Sequence, residues 1–104
     1  VKSDSSKRAL KLGYFNVLGW LGYVFEDVFF LKRFGVRRDE AYPDNGCNAE
    51  VSSTDRMIEL ESLGALVDLK PQEELVHTET WELYKTNDIP RELMGGKNLV
   101  DVLK

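Results

Sequence analysis

Residues 10–34 read LKLGYFNVLGWLGYVFEDVFFLKRF, running from Leu10 to Phe34. Leu10, Tyr14, Val17, Leu21, Val24, Val28 and Leu31 recur in it at alternating steps of four and three, a spacing that lines them along one stripe of a helix. Leu18, Phe25 and Phe29 widen the stripe, while Asn16, Trp20, Tyr23 and Asp27 occupy the opposite face with Glu26 close by. Ser3, Asp4, Ser5 and Ser6 offer N-caps, Gly35 a stop, and Lys32 and Arg33 suit the negative end of a helix dipole. The spacing predicts one long helix over residues 6–34, bent at its glycines.

Outward from this segment the chain changes character. Residues 1–38 carry eight Lys/Arg against three acids, a net +5, and residues 39–104 carry six against fifteen, a net −9. Eight of the eleven aromatics fall between Tyr14 and Phe34, so the two parts are expected to meet different surroundings. The length of 104 residues allows one modest core. One cysteine, Cys47, excludes an internal disulfide framework, and with the single histidine, His77, it cannot fill a zinc site unaided. The overall charge of −4 gives no reason to expect nucleic acid as a partner.

A simple transmembrane span is disfavoured. The least interrupted apolar run, residues 12–25, would cover roughly 21 Å at ~1.5 Å per residue, short of a ~30 Å hydrocarbon core. Extending it to Leu31 brings in Glu26 and Asp27, at ~2.5 kcal/mol or more for each charge near the bilayer centre. A helix lying on a membrane surface, or one docked on protein, remains. Its expected contact residues are Trp20, Tyr23, Phe25, Phe29 and Phe30, with Arg37 and Arg38 at the polar rim.

Residues 35–53 read as an irregular arm containing the turn Tyr42-Pro43-Asp44-Asn45-Gly46. A second helix is expected over about 54–64, capped by Ser53 or Thr54 and ended by Gly64. A short strand over 65–70, the acidic turn Gln72-Glu73-Glu74 and a strand over 75–85 (LVHTETWELYK) then form a hairpin. The expected fold is therefore α+β and helix-dominated. It comprises a long basic, aromatic, amphipathic N-terminal helix (1–34), an irregular arm (35–53) and a small acidic helix-plus-β-hairpin unit (54–104). The order of elements over 54–85, with the run MIELESLGAL from Met57, resembles the second half of a winged helix. Asp55, Glu59 and Glu61 on its recognition helix would repel phosphate, so that resemblance implies a protein partner.

No phosphate loop, dinucleotide glycine motif or metal-helix motif is present. Cys47 lies in a polar turn without a surrounding motif, and Glu26 and Asp27 would diverge by ~100° on a helix. The expectation is a non-catalytic structural or accessory subunit of a membrane-associated multiprotein complex, of respiratory or photosynthetic type. Its partners would be other subunits and a membrane surface or membrane-protein flank, and no cofactor is expected beyond a bound pigment or lipid. A first residue other than Met makes an imported protein of the mitochondrion or chloroplast the expected setting. The alternative is a soluble, winged-helix-like adaptor or regulator whose first helix is core or a dimer seam.

Overall fold

The computed structural model describes residues 10–93 and, as backbone, 99–101. Among the described residues no long helix forms. Residues 10–34 make three strands, β1 (Leu10–Tyr14), β2 (Trp20–Phe25) and β3 (Val28–Phe34), which overturns the helix-dominated expectation. Tyr-Val-Phe and Val-Phe-Phe are β-branched and aromatic runs that suit a pleated surface. Between them Glu26 and Asp27 form the two-residue turn of a hairpin in which Phe25 pairs with Val28, and Glu26 adopts φ +54°. The two acids that burdened a buried helix are the solvated tip of a β-hairpin.

The expected arm contains a turn at Pro43–Gly46 and then β4 (Ala49–Ser53). The expected second helix is β5 (Ile58–Ser62), joined to β4 by a turn in which the Thr54 N–H donates to the Met57 carbonyl at 2.9 Å. Residues 65–70 are irregular, and the strand read over 75–85 forms as β6 (Glu79–Lys85). Two short 3-10 turns, Thr86–Asp88 and Arg91–Leu93, follow, and Leu99–Asp101 is β7. The N-caps proposed for the long helix, Ser3 to Ser6, lie outside the described residues.

The strands form two sheets. One has the order β1-β4-β5, the other β6-β3-β2-β7, and every pairing is antiparallel except that of β2 with β7. Leu21 and Phe34 of the second sheet pack on Ala49 of the first, with Leu60 and Val36 alongside. The opposite face of the second sheet holds Trp20, Phe29 and Leu31, closed over by Leu93 with Val24, Tyr84 and Ile89. Gly22 is required there, because a Cβ at that position would lie 2.6 Å from the Phe29 ring. The Phe29 ring thus covers backbone that any side chain would displace.

The link between β1 and β2 crosses from one sheet to the other. Asn16 organises it from within: its Oδ1 accepts from the N–H groups of Leu18 (3.0 Å) and Gly19 (2.8 Å), and its Nδ2 donates to the Trp20 carbonyl at 2.9 Å. Gly19 has φ +81° and its carbonyl accepts from the Phe34 N–H at 2.9 Å, which starts the β2–β3 ladder. No helix among the described residues is long and apolar enough to cross a membrane.

Candidate functional site

Antiparallel register determines which side chains share a face. On the face of the second sheet that meets the first lie Leu21, Tyr23 and Phe25 of β2, Val28, Phe30, Lys32 and Phe34 of β3, and Glu79, Trp81 and Leu83 of β6. The first sheet covers only the Leu21–Phe34 end. Beyond its edge Phe25, Val28, Trp81 and Leu83 are 62%, 41%, 65% and 71% exposed, and Phe30 is half-buried among them. Phe30 and Trp81 meet edge to face at 5.7 Å, and the Lys32 ammonium lies 5.7 Å from the Trp81 ring centre. These side chains form a contiguous, largely exposed aromatic and aliphatic area beside the buried Lys32.

Of the contact residues expected from sequence, Phe25, Phe30 and half-buried Tyr23 share this face. Trp20 and Phe29 point to the other side and are buried in the core beneath Leu93, at 5% and 0% exposure. Arg37 and Arg38 are exposed in the segment after β3. Trp81, Leu83 and Val28 were not among the expected contacts. The signal for the first two was the alternation within ETWELYK, which sets Trp81 and Leu83 on one side and Glu82 and Tyr84 on the other.

A polar clasp stands where the covered and open parts of this face meet. Lys32 donates to the Leu60 carbonyl at 2.5 Å and lies 3.4 Å from the Glu79 carboxylate. Ser62 Oγ donates to Glu79 at 2.5 Å and lies 2.8 Å from His77 Nε2. With its one proton on Glu79, Ser62 accepts from the imidazole Nε2, and in that tautomer Nδ1 is the acceptor of the ring. Burial would raise the Glu79 carboxyl, but bonds from Ser62 and Trp81 and the charge of Lys32 outweigh it and hold the group below the usual carboxylate range. Serine, histidine and acid are therefore arranged as a brace between sheets. The histidine does not take the serine proton, and the acid is a weakened base.

On the opposite face of β3 and β6, Arg33 Nε lies 3.2 Å from Glu82, which also accepts from the Tyr84 hydroxyl. That hydroxyl, then Arg33, lowers the Glu82 carboxyl, and Glu82 in turn raises the Tyr84 phenol. On the first sheet Lys11 lies 3.1 Å from Glu50, whose carboxyl is raised by a hydrogen bond with Asp44 against the pull of Lys11. Cys47 lines the hollow beside Glu50, whereas His77 lines a different one, so the thiol and imidazole do not share a site. Among the described residues no three His, Cys, Asp or Glu side chains are grouped to hold a metal ion. No family model, curated protein or solved structure matches this chain.

Proposed function

We propose that this protein is a non-catalytic interaction subunit of a larger assembly, and that it docks a partner protein on the open face formed by Phe25, Val28, Phe30, Trp81 and Leu83. The observation that carries the reading is the exposure of four of these side chains beyond the edge of the covering sheet. Burying such area contributes ~25 cal/mol per Å² before ordering costs, and a central tryptophan is a frequent anchor. The rim favours protein over lipid. Glu26 and Asp27 at the hairpin tip adjoin Phe25 and Val28, where an anionic headgroup surface would need Lys or Arg. Lys85, opposite Val28, gives the rim both signs of charge, as a protein surface would match.

The test places a photo-crosslinking amino acid at position 83 of the full chain in the cells that make it. The expected product is a covalent adduct with one discrete protein, abolished by Trp81→Ser. Adducts with lipid alone, with a second copy of this chain alone, or with nothing would each overturn the reading.

A further inference from the structure

Residues 63–78 leave β5 as a long arm. It turns back where the Glu73 N–H donates to the Lys70 carbonyl at 3.0 Å, and the Leu66 N–H ties it to the Ala41 carbonyl at 2.8 Å. Between this arm and the segment after β3 lies an open hollow of about 290 Å³. Val67, Leu75, Val76 and Tyr42 are among the residues that line it, as are Arg37 and His77.

Both nitrogen groups have unused capacity. The Arg37 backbone is anchored, its N–H donating to the Tyr42 hydroxyl at 3.0 Å, while among the described residues no carboxylate lies within 4.0 Å of its guanidinium. His77 spends Nε2 on Ser62, and its Nδ1 edge faces Gly64, where a Cβ would come within 3.3 Å of that nitrogen. The Glu79 carboxylate is engaged by Ser62, Trp81 and Lys32 and does not compete for the Nδ1 edge.

We infer that the hollow binds a small organic carboxylate with an apolar body and an N–H or O–H donor, its carboxylate on Arg37 and its donor on His77 Nδ1. The volume suits a ligand of roughly a dozen heavy atoms, below the drug-sized range. A planar guanidinium grips a carboxylate through two parallel bonds, and Nδ1 of the tautomer that donates from Nε2 to Ser62 supplies the acceptor. The apolar body would cover Val67, Leu75 and Val76, which are 52%, 57% and 77% exposed. None of the residues lining this hollow belongs to the open aromatic face, and the inference does not rest on that face.

N-acetyl-leucine is the probe, titrated into the full chain and followed by ¹H–¹⁵N spectra together with the His77 ring ¹⁵N resonances. Saturable binding is expected, with shifts at Arg37, Gly64 and His77 Nδ1. Its methyl ester, lacking the charge, and 4-methylpentanoate, lacking the donor, should each bind at least about tenfold more weakly. Arg37→Gln and Gly64→Ala should weaken the acid similarly, while Arg38→Gln should leave it unchanged. Absence of saturable binding, an ester that binds as tightly as the acid, or equal losses for Arg37→Gln and Arg38→Gln would overturn the site. Both arginines and Gly64 are exposed, so circular dichroism of each variant should match the parent.

Discussion

The side chain of Asn48 serves as the missing strand neighbour of Asn16. Its Oδ1 accepts from the Asn16 N–H at 2.5 Å and its Nδ2 donates to the Asn16 carbonyl at 2.8 Å, with both residues almost fully buried. The Asn48 carbonyl also accepts from the Leu63 N–H at 2.8 Å, so one residue fastens the crossover between sheets to the start of the arm. Asn48→Leu strands two buried backbone groups and is expected to lower stability by about 2–4 kcal/mol in urea unfolding. Asn48→Asp should cost at least as much, because it replaces the donor to the Asn16 carbonyl with a buried charge.

Gly22→Ala drives a Cβ into the Phe29 ring and is expected to cost about 1–3 kcal/mol. If that contact is the cause, Phe29→Leu should cost less in the Gly22→Ala background than in the parent. A double-mutant cycle by thermal or urea unfolding measures the coupling, and strict additivity would refute the explanation.

At the hairpin tip the expected change has the opposite sign. Glu26 holds φ +54°, a conformation that burdens a side chain and that glycine adopts freely. Glu26→Gly is expected to raise stability by up to about 1 kcal/mol, offset in part by the greater freedom of glycine in the unfolded chain. The midpoint of urea unfolding reads it.

Acid should weaken the fold through β6. Glu79 and Glu82 both have carboxyls below their ordinary value in the folded chain. Their contribution is present above the unfolded pKa of ~4.3 and is lost as pH falls through the lower folded values. Glu50 runs the other way: its raised carboxyl contributes below the unfolded value and loses that contribution as pH rises through the folded one. The melting temperature of Glu82→Gln should therefore fall less steeply in acid than that of the parent. That of Glu50→Gln should fall less on going from acid to neutral pH.

Replacing Trp81 and Leu83 with serine tests whether their exposure is inert in the isolated chain. Both sit on the open face of an edge strand, so the double variant should unfold within about 0.5–1 kcal/mol of the parent while losing the partner adduct. A larger loss of stability would mean that these side chains serve the fold itself.

The sequence announced the importance of residues 14–34 through their aromatic density but concealed their period. Phe29 and Phe30 are adjacent and, by the two-residue period of a strand, point to opposite faces; both faces there are apolar, so the alternation that identifies a half-buried strand is absent. The helical stripe was a coincidence of this arrangement: Leu21 and Val28 lie on one face of the sheet, Val24 and Leu31 on the other. The legible sign was Glu26-Asp27, a charged pair interrupting two runs rich in β-branched and aromatic residues, although it lacks the glycine or asparagine of the usual two-residue hairpin loop. Phe25 and Phe30 could be singled out from sequence, and the alternation in ETWELYK sets Trp81 and Leu83 on one side of a strand without saying which face they join. Trp81 and Leu83 join it only through the pairing of β3 with β6, and no local pattern specifies that pairing.

That pairing also sets an order for folding. The β2–β3 and β4–β5 hairpins close between neighbouring segments, whereas Val28 must find Lys85 and Phe34 must find Glu79. A chain emerging from the ribosome can form the aromatic hairpin early, yet Phe29 and Leu31 stay uncovered until Tyr84, Ile89 and Leu93 have been made. Long-range strand pairing of this kind is slow, on the order of milliseconds to seconds. Until β6 and the two turns after it have been made, the nascent hairpin therefore holds Phe29 and Leu31 open to other chains, and escape from aggregation depends on the arrival of those later residues.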